Sequence, residues 1–227
     1  MDAVQLLIGT SLFLLAGLLL FLAARAFRQF VREHVQPQLM WGAGVSLAAA
    51  AVLIEGVVYF GVVTIPLLQA YVFFSAAIVG VLSLGATRIL KSPRIERAYT
   101  AWTVATCALV AGLSFATPLS TSMVSNGIIA GNPPLSLLIV STLVTGPATV
   151  LLLTASYLSL KRHFRWQSVL MASGAVILGA GGTLYIASFP VALYYAEFLG
   201  IFLLFLGIVN MPTTAPVRAA VPTAKSA

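Results

Sequence analysis

The sequence predicts an all-α membrane protein, a bundle of seven transmembrane helices, and three observations predict it. Of its 227 residues, 60% are hydrophobic and only 7% charged, where a soluble domain carries about 25% charged residues; the mean hydropathy is +1.06. Seven apolar runs, at about 4–24, 40–63, 68–90, 98–117, 135–160, 168–189 and 191–210, each reach the roughly 20 residues that a bilayer-crossing helix needs. All 12 Lys and Arg residues fall at or beyond the ends of those runs.

Each run has its own justification. The first follows Asp2 and no positive charge, is too long for a signal-peptide core and shows no cleavage site, so it is expected to be retained. The second is rich in small residues (Gly42, Gly44, Ser46 and Ala48 to Ala51) that let membrane helices approach closely. The third starts after Pro66, and Pro118, Pro133 and Pro134 mark the connection between the fourth and fifth, because proline ends helices readily. Gly146–Pro147 predicts a kink in the fifth. The sixth carries Gly174, Gly179, Gly181 and Gly182, and the seventh follows Pro190. Trp41, Trp102 and Trp166 stand at the starts of the even-numbered helices, where interfacial anchors are expected. Residues 1–210 form one domain; the Pro-, Ala- and Thr-rich stretch 211–227 is expected to be a disordered cytoplasmic tail.

The basic residues fix an orientation. Arg25, Arg28 and Arg32 follow the first helix; Arg88, Lys91, Arg94 and Arg97 the third; Lys161, Arg162 and Arg165 the fifth; Arg218 and Lys225 the seventh. The intervening connections, near 64–67, 118–134 and 190, carry no charge. Positive residues stay in the cytoplasm, so the N-terminus is expected outside and the C-terminus inside a plasma membrane. Helices 1–3 and 5–7 share orientation and loop character, consistent with a parallel 3+1+3 arrangement.

Several function classes drop out. The net charge of +7 sets orientation and forms no basic face for nucleic acid. Cys107 is the single cysteine, which excludes a disulfide framework and a multi-cysteine metal centre. His34 and His163 stand in basic connections, so no intramembrane histidine is available to a haem, and the seventh helix has no lysine for a retinal Schiff base. Phosphate loops, HExxH and a Ser–His–Asp set are missing. No catalytic residue, metal or cofactor is assigned, and an enzyme is not expected.

The informative residues are Glu55 and Glu197. A carboxylate in hydrocarbon costs several kcal/mol, at the order of magnitude, and usually marks function. Both lie in the outer half of their helices, and no Lys, Arg or His occupies that layer. Ser75, Thr142 and Thr183 share it, as do Thr10, Ser11, Ser141 and Thr145; Tyr59, Tyr71, Tyr185, Tyr194 and Tyr195 lie level with it or nearer the outer surface. One reading is an outward-facing binding site for a small solute or cation; the other is protonated glutamates packing against hydroxyls.

The runs WGAGVSLAAAAVLIEGVVYFG and LLQAYVFFSAAIVGVLSLGATRIL, with YYAEFLGIFLLFLGIV near the end, resemble a class of uncharacterised prokaryotic seven-helix membrane proteins. The resemblance puts Trp41, Glu55, Tyr71, Gly85 and Glu197 in a shared pattern and implies no activity. More loosely, the layout resembles the seven-helix sensory modules that precede histidine kinases. Pro37–Gln38 is similar to the Pro-Gln pair of PQ-loop and SWEET-type carriers. Three functions stay open: a cation- or proton-coupled carrier of a small solute, a non-catalytic subunit or scaffold held by a membrane partner or a second copy, and a sensor without its own output domain.

Overall fold

A computed structural model describes residues 3–34, 36–87, 90, 92–125, 127–129, 133–163, 166–186 and 190–209, with side chains left undescribed at 3–5, 125, 128, 159, 162–163, 168, 178–186, 190–194, 197 and 208–209. The chain is all-helical apart from one very short hairpin. Helices α1 (Ala3–Glu33), α2 (Gln36–Tyr59), α3 (Ile65–Thr87), α4 (Pro93–Ala116), α5 (Leu135–His163), α6 (Trp166–Ile186) and α7 (Pro190–Val209) follow in order. Among the described residues, α1 to α5 are each long and apolar enough to cross a membrane. The predicted tail, 211–227, lies outside the described residues.

Helix ends differ from expectation at the charged end. Arg25, Arg28 and Arg32 belong to α1, which continues to Glu33 instead of stopping near residue 24. Long basic side chains can extend from a helix past the apolar layer, so charge there does not end the helix. The α5 helix is continuous through Pro147.

Successive helices run in opposite directions, and ring-on-glycine contacts set their register. Phe60 covers Gly9, Phe13 covers Gly56 and Phe27 covers Gly42, which locks α1 antiparallel to α2. Trp41 covers Gly85 and Leu82 covers Gly44, doing the same for α2 and α3. On α6 and α7, Gly174 meets Gly200 and Leu204 while Gly207 meets Gln167 and Met171. Close approach of backbones supplies the dispersion contact that replaces a hydrophobic drive in lipid. The α3 helix also packs on α4 and α5, through Ala76, Val110, Val140 and Val144.

The basic end of the bundle therefore carries the α1 terminus and the α4 start. At the opposite end the α4–α5 connection forms a 3-10 turn (Thr121–Met123) and two strands, β1 (Val124–Ser125) and β2 (Ile128–Ile129), paired antiparallel. Gly127 turns between them at φ +77°, a conformation natural to glycine. Leu119, Met123 and Ile129 anchor the hairpin in the core, with Gly127 against the Tyr59 backbone.

The outer surface is largely apolar, and the mostly apolar interior also holds several hydroxyls. Leu7, Leu14, Phe21, Val104, Phe115, Leu135 and Val150 are exposed, while Ser83, Thr87, Thr103, Thr106, Ser114 and Ser156 are buried. The α4 helix shows it most plainly: its buried stripe is Thr103, Thr106, Val110 and Ser114. An apolar outer face suits a bundle surrounded by lipid, where a polar group without a partner is costly.

Candidate functional site

Glu55 is built into the most closely packed face of α2. Trp41, Val45, Ala48, Val52 and Glu55 recur every three or four residues and are all buried, a spacing that stacks them on one side of a helix. The matching stripe on α3 is Tyr71, Ile78, Leu82 and Gly85, also buried, with Ser75 half-buried between them. Trp41 against Gly85 and Gly44 against Leu82 fix the antiparallel register; continued along both helices, that register puts Glu55 level with Tyr71. Their exposures are 3% and 7%. Among the described residues, Glu55 is the one buried Asp, Glu, Lys or Arg.

The hairpin end closes over this level. Phe13 lies against Gly56, beside Glu55. Tyr59, one helical turn further along α2, is half-buried and sits edge-on to Phe60. Ser11 on α1 and Tyr195 on α7 hydrogen-bond through their hydroxyls at 3.2 Å, tying the N-terminal parts of those helices together.

Three hydroxyls of that layer turn onto their own helices. Thr142 is exposed, and its hydroxyl donates to the Leu138 carbonyl of its own helix at 2.8 Å. Ser141 donates to the same carbonyl and Thr10 to Leu6. A hydroxyl in an apolar medium can turn back onto its own helix at low cost, so its type alone does not place it in a site. The side chains of Thr183, Tyr185, Tyr194 and Glu197 lie outside the described residues. Two surface concavities, one beside Glu96, Arg97 and Thr100 and the other beside Phe27, Arg28 and Arg32, are at the basic end and do not reach Glu55.

One tryptophan departs from the anchor role. Trp41 is 1% exposed and fills the notch at Gly85, because α2 begins at Gln36 and so carries residue 41 past its first turn. Trp102 is partly exposed but donates its indole N–H to the Leu143 carbonyl on α5 at 3.1 Å. Trp166, at the α6 start, is 71% exposed.

One polar cluster escaped the sequence reading. Ser83 of α3 hydrogen-bonds the Tyr99 hydroxyl of α4, and Thr103 and Cys107 of α4 border Gly80 one turn away. The signal was present: Tyr99, Thr103 and Cys107 recur every four residues on one side of α4. Among the described residues, no three His, Cys, Asp or Glu side chains gather as a metal-binding group.

Comparison with protein-family models, with curated proteins and with solved structures gives no match to this chain.

Proposed function

We propose that the chain is a seven-span plasma-membrane carrier, N-terminus outside, that moves a small solute coupled to a proton or other cation through Glu55. The observation that carries this reading is the burial of Glu55 on the inward stripe of α2, level with Tyr71, inside helices whose outer faces are apolar. A carboxyl group can carry a proton or pair with a cation, so a buried one is suited to exchange either with the species that reaches it. That is the physical basis of coupling.

Glu197 is the second acid of the proposed site. Tyr195 meets Ser11, so position 197 on α7 stands about level with Phe13, whose ring borders Gly56. Position 197 also precedes Gly200, Ile201 and Leu204, the buried stripe of α7, by three, four and seven residues. The orientation rests on Arg25, Arg28, Arg32, Arg94, Arg97 and Lys161 gathering at one end of the bundle, which the positive-inside rule assigns to the cytoplasm.

Flux into proteoliposomes tests the reading. Vesicles loaded with a pH-sensitive dye, and separately with a sodium- or potassium-sensitive dye, receive an imposed gradient of each ion, with and without a panel of small solutes outside. Wild type moves at least one of these ions faster than empty vesicles, and Glu55→Gln abolishes the difference while remaining folded. If wild type matches empty vesicles for every ion, the carrier reading fails, and a membrane subunit that works by lateral contact takes its place.

A further inference from the structure

Four turns below Glu55, the same side of α2 ends in two buried polar groups of opposite character. Gln38 is 5% exposed and Trp41 is 1% exposed. Among the described residues, the carbonyl oxygen of Gln38 (Oε1) and the indole nitrogen of Trp41 (Nε1) each have no hydrogen-bond partner. Three residues apart on one helix, they face the same way. Each such atom left unsatisfied in an apolar interior is costly.

The buried hydroxyls of Ser114 and Ser156 are also without partners among the described residues, but they are a different case. A Ser or Thr hydroxyl rotates onto a carbonyl of its own helix, as Ser46, Thr106 and Thr149 do. An indole N–H held in the Gly85 notch has no such alternative, and a glutamine carbonyl oxygen cannot donate to its own helix. One acceptor and one donor, three residues apart on one helix and both buried, call for a third group that complements both.

We infer that the Gln38–Trp41 pair is a binding site for a hydroxyl group, which accepts from Trp41 Nε1 and donates to Gln38 Oε1. Water carries this chemistry, and so does the hydroxyl of a neutral solute. A buried water bridging two or more protein polar groups is an ordinary structural element. A bare alkali cation does not suit the site, because the indole presents a positive N–H edge to it. Resting on the carrier reading, this narrows what passes the basic end of α2 to a neutral hydroxylic solute or a proton in water. The site itself stands without that reading.

The test is NMR of the protein with 15N-labelled indoles, in micelles. Trp41 is identified by the signal lost in Trp41→Phe, and contact is read by magnetisation transfer from water or from added glycerol. Transfer from water in plain buffer assigns the site to water. Transfer that appears only with glycerol, together with a shift of the Trp41 signal, assigns it to a solute hydroxyl. In either case Gln38→Met removes the transfer and moves the Trp41 signal, while Ser114→Ala leaves both unchanged. A Trp41 signal with no transfer from either source, and indifferent to Gln38→Met in a folded protein, overturns the inference. Ion flux does not enter the readout, so a carrier without this site and a site without transport give different results.

Discussion

The indole N–H of Trp102 donates to the carbonyl of Leu143 at 3.1 Å, four residues before Pro147. In a regular helix residue 147 would donate its own N–H to that carbonyl, and proline has none to give. A side chain on α4 thus supplies the bond that the α5 backbone lacks, which lets α5 continue through Pro147. Trp102→Phe should destabilise the protein by about 1 kcal/mol, in the range of interhelical hydrogen bonds in membranes. Pro147→Ala restores the backbone donor, so Trp102→Phe should cost less in that background. Unfolding of the four proteins in a double-mutant cycle checks this; strictly additive costs would break the link.

Trp41 and Gly85 make a steric prediction. A Cβ at position 85 would overlap the indole nitrogen of Trp41, so Gly85→Ala forces a buried ring to move and should cost about 1–3 kcal/mol. Trp41→Phe leaves more room, and the pair Gly85→Ala with Trp41→Phe should recover part of the loss. Thermal unfolding in detergent measures both.

Gly174 and Gly9 have equal gaps and different neighbours. A Cβ at Gly174 would stand 2.6 Å from the Gly200 carbonyl oxygen, and one at Gly9 would stand 2.6 Å from the tip of the Phe60 ring. Backbone does not yield, whereas Phe60 is 40% exposed and can swing away. Gly174→Ala should therefore separate α6 from α7 and cost about 2 kcal/mol or more, against less than about 1 kcal/mol for Gly9→Ala. Comparable losses for the two would refute the distinction.

The two polar positions Glu55 and Thr142 should part company in flux assays. Glu55→Gln keeps hydrogen-bonding capacity and loses ionisation, so it should fold normally and lose coupling. Thr142→Ala removes a hydroxyl bonded only to its own helix among the described contacts and should leave flux within about twofold of wild type, since surface changes rarely exceed ~0.5 kcal/mol. A large defect in Thr142→Ala would mean that the site extends to the outer face of α5.

Orientation is checked by labelling single cysteines with a membrane-impermeant reagent added outside whole cells, in a Cys107→Ala background. A cysteine at the exposed Ser120, in the hairpin connection, should react, and one at Ser92, before α4, should not. The opposite pattern would invert the molecule in the membrane.

The helices were legible in the sequence because their length and apolar character are dictated by the bilayer, and these survive in any seven-run reading. Glu55 was legible for the same reason: a lone acid in such a run has few places to face but inward. Side-chain direction was not. Thr142 matches Ser75 in type and level but turns outward, because α5 exposes that side while α3 is surrounded by α2, α4 and α5. The apolar run places Trp41 at a helix boundary, but the polar first turn from Gln36 belongs to α2 as well, and Gly85 makes the space for the ring. The Trp102–Leu143 bond depends on the lateral pairing of α4 with α5, which no local pattern specifies.

The inverted stripe of α4 has a consequence for handling the protein. Thr103, Thr106 and Ser114 face α3 and α5 while Val104, Leu109 and Phe115 face out, so exclusion from water does nothing to hold α4 in place. Its attachment depends on close packing and on hydroxyl and indole hydrogen bonds, for which an alcohol is a direct competitor. Short-chain alcohols, and cosolvents that carry hydroxyls into the apolar layer, should loosen α4 before the glycine-locked pairs α1–α2 and α6–α7. The peripheral helix is then the first to leave under conditions that spare a conventional core.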